Sequence, residues 1–322
     1  MHRLPLMAAE EDVVGLDVSD GIVSVARVGV RQDGAMQLRN AGWTEYAAGA
    51  TDRELADAIR RVWRMAGLVS HTISAAFRSP SIVLRYFKYP ALSREEFESA
   101  LRIEAEESLQ LPQNEILLDW HLNESAPSAA AGPTGSRPCE GLLAAAPAKE
   151  VQRFMATLRM AGLYPVVLDI GAAALGNLFR AMHRESKAPQ DACVIHLTRQ
   201  HADIAVLFQR CGIYARTISA RSGDWASSLD YLAESVSEAL RFYEFKLRHP
   251  PVRRVFVAGR VPAMADFVDR FGRQAGASVE VWDPLAHVIP ASSRVRRLIN
   301  RREVVPPMVI SMGLALRRYD GA

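Results

Sequence analysis

Cysteine is nearly missing from this chain: Cys139, Cys193 and Cys211 are its 3 cysteines, odd in number and without a Cys-x-x-Cys pair. That excludes a disulfide framework and a cysteine zinc site, and leaves inert thiols. Long apolar runs are missing too. No window approaches the ~20 residues that a membrane-spanning helix needs, and Met1 to Asp12 lacks the apolar core of a secretory leader, so a cytoplasmic address is expected. Neither sign of charge dominates, the net value being +3, and lysine is scarce, so that almost all of the 39 basic residues are arginine. What is present is ordinary for a folded globular protein: 49% hydrophobic and 23% charged residues. A length of 322 residues suffices for two domains or one bilobed fold.

The densest basic run holds Arg294, Arg296, Arg297, Arg301 and Arg302. It could meet an anionic lipid surface, or form a solvated helix face, since Glu303 follows. No aromatic residue is interleaved for base stacking, so nucleic acid is not an expected partner.

The stretch from Gly15 to Val28 reads as two alternating strands joined at Asp17, Ser19, Asp20 and Gly21. Such a hairpin is ordinary turn chemistry, or it is the first phosphate loop of an actin-like ATPase. In that loop a carboxylate at the strand end holds a metal-bound water, and small turn residues let backbone N–H groups approach phosphate.

After the hairpin come a strand from Met36 to Tyr46, a helix from Asp52 to Ala66 and a strand from Thr72 to Arg78. The helix carries Leu55, Ile59, Val62 and Trp63 at helical spacing, with Thr51 and Glu54 as a capping box and Gly67 as its stop. The same order returns later: strands at Ala192 to Leu197, Ala202 to Phe208 and Ile213 to Ser219, a helix from Ala226 to Phe245, and a strand from Arg254 to Ala258. A repeated β-β-β-α-β unit constrains the fold more than any single motif. Between the copies lies a compact α+β module, with strands at Ser81 to Tyr89, Glu115 to Asn123 and Leu142 to Ala146, and helices at Ser93 to Ser108 and Lys149 to Ala161. Residues 124–138 have no periodicity and read as a mobile loop. A strand from Pro165 to Asp169 and a closing helix from Pro307 to Arg318 complete the reading.

Four segments now carry a resemblance. Ala105-Glu106-Glu107-Ser108-Leu109-Gln110-Leu111-Pro112, followed by Glu115 and Asp119, is one; Gly162 to Asp169 is another. Leu240-Arg241-Phe242-Tyr243-Glu244-Phe245 and Met312-Gly313-Leu314-Ala315-Leu316-Arg317 are the others. In this order they resemble the PilM family of type IV pilus assembly, which is related to FtsA and to the cytoplasmic part of GspL. The resemblance implies an α/β, actin-like (ribonuclease H-like, duplicated) two-lobed fold with an inserted α+β subdomain. Because the second copy passes from strand to helix without an insertion, its second-lobe subdomain is expected to be truncated. The expected parts are a first lobe at 12–80, the insert at 81–164, a return to the first lobe at 165–186, a second lobe at 190–290 and a closing helix at 305–319.

Set against the family pattern, the nucleotide site looks eroded. His196 stands where the second phosphate loop has a carboxylate, Leu197 and Thr198 replace its glycine turn, and Ala258-Gly259-Arg260 keeps one glycine of a pair. A neutral imidazole cannot organise a magnesium hydration shell, and a side chain at a glycine position obstructs phosphate. His196 and His201 read as core residues more readily than as metal ligands, since no carboxylate is placed beside them. The reduced nucleotide set is Asp17, Ser19, Asp20, Gly21, Thr198 and Gly259, with no catalytic residue, no metal and no cofactor expected.

The resemblance therefore implies a cytoplasmic scaffold, peripheral at the inner membrane face. It would bind the N-terminal tail of a PilN-like membrane protein and contact pilus or secretion motor components. The strand with Leu84, Arg85, Tyr86, Phe87 and Lys88 is the expected wall of the tail groove. The alternative is an active actin-like ATPase driving pilus assembly, using ATP and magnesium with Asp17 and Thr198 on the phosphates.

Overall fold

The computed structural model describes residues 13–19, 21–31, 33–122, 139–183, 191–208, 211–220, 225–259, 261, 264–300 and 308–317. Strands β1 (Val14–Ser19), β2 (Ile22–Val30) and β3 (Met36–Glu45) form a meander, and helix α1 (Asp52–Ala66) returns the chain to β4 (Thr72–Ala76), parallel to β1. The α1 capping box is formed: the Thr51 hydroxyl accepts the Glu54 N–H, and the Glu54 carboxylate accepts the Thr51 N–H. Ile59, Val62 and Trp63 bury the inner stripe of α1 on this sheet.

The chain then builds a separate three-stranded sheet. Strand β5 (Val83–Tyr89) and helix α2 (Arg94–Leu109) lead to β6 (Ile116–Leu122) and β7 (Cys139–Pro147), with β7 central in the order β5-β7-β6. Its small core holds Phe87, Phe97, Leu101 and Leu143 under α2. Helix α3 (Ala148–Met160) and strand β8 (Tyr164–Asp169) return to the first sheet, where β8 joins β4 as the edge. Helix α4 (Gly171–Met182) follows.

The second copy comprises β9 (Ala192–Leu197), β10 (His201–Phe208), β11 (Cys211–Ser219), α5 (Trp225–Arg241), β12 (Arg254–Gly259), α6 (Met264–Ala275) and β13 (Ser278–Val281). Its order, β11-β10-β9-β12-β13, repeats β3-β2-β1-β4-β8 of the first sheet. Helix α5 follows β11 without an intervening subdomain, as the truncation implied. Strand β14 (Ile289–Pro290) adds to β3, and α7 (Ser293–Ile299) precedes α8 (Val309–Ala315).

Helices α4 and α8 are the layer between the two sheets. Leu175, Leu178 and Phe179 of α4 and Ile310, Met312 and Leu314 of α8 share one core with Val28 and Leu38 of the first sheet and Val194, Leu207 and Phe256 of the second. The helices meet through Gly313, where a Cβ would lie 2.0 Å from the Ala174 carbonyl oxygen. Two helices, α4 and α6, went unread in the sequence. The first is nearly all glycine, alanine and apolar residues, with polar side chains only at Asn177 and Arg180, which blurs a 3.6-residue stripe, and the second is short, with Gly272 in its last turn. The expected loop at 124–138 lies outside the described residues, as do the ends of the expected closing helix at Pro307 and Arg318.

Candidate functional site

Two hollows open around α4. The first is a cleft of about 620 Å³ between the lobes, lined among others by Ser19, Arg78, Gly171, His201 and Thr217. Parallel strands β1 and β4 end here on one side, and β9 and β12 on the other, which is where α/β folds place ligands.

Register explains which side chains meet at this cleft. On β10, Asp203 pairs with His196 of β9 and with Thr217 of β11, so their side chains rise from neighbouring positions on the same face. The Thr217 hydroxyl donates to Asp203 Oδ1 at 2.7 Å, while His201 Nε2 lies 3.4 Å and His196 Nδ1 3.9 Å from Asp203 Oδ2. Across the cleft, Arg78 stands two residues beyond β4. Its Nη1 is 2.9 Å from Asp203 Oδ2 and its Nε donates to Asp17 Oδ1 at 3.2 Å. Asp203 is fully buried and Asp17 is 4% exposed. Burial opposes ionisation of Asp203, but the Arg78 guanidinium and the two imidazoles hold its carboxyl well below the usual range. Burial likewise disfavours the Arg78 charge, and Asp203 and Asp17 more than offset it.

The expected nucleotide residues fall around this cluster. Asp17 is bound by Arg78, and the Ser19 hydroxyl donates to Asp17 Oδ2 at 3.0 Å. Gly21 has φ 74° in the hairpin turn. The Thr198 hydroxyl is spent on its own turn: it accepts from Gln200 N and His201 N and donates to the His201 carbonyl at 2.9 Å. Gly259, at φ 137°, lets β12 approach β9, since a Cβ would lie 2.0 Å from the Leu197 carbonyl oxygen. Asp20 and Arg260 lie outside the described residues. Arg78 and Asp203 were missed. Their signals were a single arginine after the apolar run of β4, and His201 with Asp203 two apart on one face of a buried strand. The carboxylate that the two histidines lacked in sequence is Asp203, and the candidate ligand atoms of the three lie within 4.8 Å of one another.

The second hollow, about 400 Å³, is a largely apolar groove between the inserted sheet, β8, α4 and β11. Leu117, Trp120, Leu142, Val167, Ala173 and Tyr214 line it, with Asp119, Asp169 and Arg317 among its polar groups. β6 and β8 are both edge strands of their sheets. Leu117 and Val166 leave 48% and 39% of their surfaces exposed there and on the neighbouring edge.

Of the expected wall residues, Leu84 lines both hollows. Tyr86 donates its hydroxyl to Glu140 at 2.6 Å, and Lys88 pairs with Glu140 at 3.3 Å. Phe87 is buried in the insert core and Arg85 is exposed. Arg294, Arg296 and Arg297 are exposed on α7, whereas Arg301 and Arg302 lie outside the described residues. No described helix is long and apolar enough to cross a membrane.

A family model described as "Type IV pilus assembly protein PilM" matches residues 15–222. Among solved structures, a PilM-PilN type IV pilus biogenesis complex aligns with a TM-score of 0.75 at 18% identity, covering 96% of this chain and 98% of that one. The cytoplasmic domain of EpsL, an inner membrane component of the type II secretion system of Vibrio cholerae, aligns with a TM-score of 0.52 at 7% identity, covering 95% and 96%. The fold is actin-like.

Proposed function

We propose that this chain, which belongs to the PilM family of type IV pilus assembly proteins, is a docking scaffold: it holds the cytoplasmic tail of a PilN-like membrane protein and does not hydrolyse nucleotide. The observation that carries the reading is the groove between β6 and β8. Two edge strands flank an apolar floor, the arrangement into which an extended peptide adds as a strand. Main-chain bonds would supply affinity, and pockets beside Trp120, Leu142 and Tyr214 would select apolar side chains of the tail. That the aligned pilus complex pairs a PilM with a PilN supports the identity of the partner. The scaffold would then work at the cytoplasmic face of the inner membrane, reached by docking on the tail.

The non-hydrolysing part rests on the cleft. Asp17 is ion-paired, the Thr198 hydroxyl is committed to its turn, and a histidine stands at the second loop. Calorimetric titration of a synthetic tail peptide into the full chain tests the docking. Binding without nucleotide is expected, weakened at least tenfold by Trp120→Ala. A requirement for magnesium ATP, or indifference to Trp120 and Leu142 substitutions, would remove the groove from the mechanism.

A further inference from the structure

An actin-like fold implies a nucleotide with its magnesium ion in the cleft between the lobes, and the residues of this cleft do not fit that pair. A divalent ion would need the carboxylates of the two lobes. Both are already engaged by one guanidinium: Arg78 Nε lies 3.2 Å from Asp17 Oδ1, and Nη1 lies 2.9 Å and 3.2 Å from Asp203 Oδ2 and Oδ1. A metal ion beside them would face a fixed positive charge in a poorly solvated site. The protein is also built around the arginine. Gly171 begins α4 directly beneath it, where a Cβ would lie 2.5 Å from Arg78 Nη2 and 2.6 Å from Asp203 Oδ2.

We propose that Arg78 is a resident counter-cation: it takes the place of the metal and ties β1 of the first sheet to β10 of the second without nucleotide. This deepens the non-hydrolysing half of the reading above and is independent of the tail groove. It also makes a prediction about what lies beneath the arginine. Asp203 with His196 and His201 is a His₂Asp set whose ligand atoms sit within 4.8 Å of one another, suited to zinc or cobalt more than to magnesium. The guanidinium keeps that set from acting as a metal site, so removing it should create one.

Thermal melting of the untagged full chain, with magnesium ATP, Zn²⁺ or Co²⁺ added separately, tests this. The wild-type melting temperature is expected to ignore all three. Arg78→Ala should melt roughly 5–10 °C lower, because two buried carboxylates lose their partner. It should regain stability with Zn²⁺, and with Co²⁺ should develop visible absorption of a tetrahedral complex. Arg78→Ala combined with Asp203→Asn should lose that rescue. If Arg78→Ala does not fold, Arg78→Lys serves instead: it keeps the charge but cannot fork between the lobes, and should melt lower with faster hydrogen exchange in β10. Stabilisation of wild type by magnesium ATP would overturn the resident cation while leaving tail docking intact. One zinc bound per wild-type chain and lost in His196→Ala, or an Arg78→Lys variant as stable as wild type, would overturn it as well. Failure of the tail peptide to bind would leave Arg78 untouched.

Discussion

Asp203 is buried and Asp169 largely so, both lie near the N-terminal end of α4, and their surroundings push them in opposite directions. For Asp169, burial is the larger influence and raises its pKa, with Arg317 at 3.5 Å and the Ile170 N–H opposing. For Asp203, Arg78 and the imidazoles overcome burial and lower it. A lowered carboxyl stabilises the fold above its unfolded value, about 3.9, and that contribution fades as pH falls through the folded value. A raised one favours the fold below about 3.9 and loses that contribution as pH rises through the folded value. Asp203→Asn is therefore expected to cost about 3 kcal/mol at neutral pH, the size typical of breaking a buried pair, with the difference from wild type shrinking below about pH 4. Asp169→Asn keeps the acceptor for Ile170 N and should be neutral or stabilising at pH 7. Urea melts of the three proteins at pH 7 and at about pH 2.5, well under the unfolded carboxyl value, check both signs. A costly Asp169→Asn would mean that its ion pair with Arg317 outweighs burial.

At the scale of elements, what was legible in the sequence is what polar and apolar periodicity can encode. Helix α1 was read with both ends correct because its capping box, amphipathic stripe and Gly67 stop agree. Strands β9 and β12 were read because they are continuous apolar runs. Helix α4 was illegible for the converse reason: packed between two sheets, it carries polar residues only at Asn177 and Arg180, and Gly171-Ala172-Ala173-Ala174 gives no contrast. The inserted module could be outlined, but its strand order β5-β7-β6, which makes β5 and β6 its edges, is contained in no local pattern. Glycines in the α4–α8 layer make this packing testable. Gly313→Ala drives a methyl into the Ala174 backbone and should cost about 1–3 kcal/mol. Gly176→Ala, where a Cβ would make ordinary contact at 3.5 Å with Ala205, should instead be neutral or gain up to about 1 kcal/mol from helix propensity. Equal losses in the two variants, measured by denaturant unfolding, would mean that α4 and α8 are less tightly apposed than the geometry gives.

At the scale of the whole molecule, the duplicated sheets, the α4–α8 layer and the inserted module place two hollows on either side of Ile170, a residue that lines both. Their chemistry diverges. In the interlobe cleft every charge on Asp17 and Asp203 meets a protein partner, whereas the groove offers edge strands and exposed apolar side chains. A phosphate group entering the cleft would meet two carboxylates whose cation is covalently part of the chain and already shared between them. It would also meet a turn whose Thr198 hydroxyl is engaged with backbone. The cost of breaking those bonds must be set against ligand binding, and a ligand that favours neither lobe arrangement shifts nothing. Phosphate release from magnesium ATP by the purified chain is therefore expected at the rate of a protein-free control, and Asp17→Asn should leave it unchanged. Sustained release that Asp17→Asn abolishes would mean that Arg78 swings aside during turnover, and that the cleft works as the rest of its fold would lead one to expect.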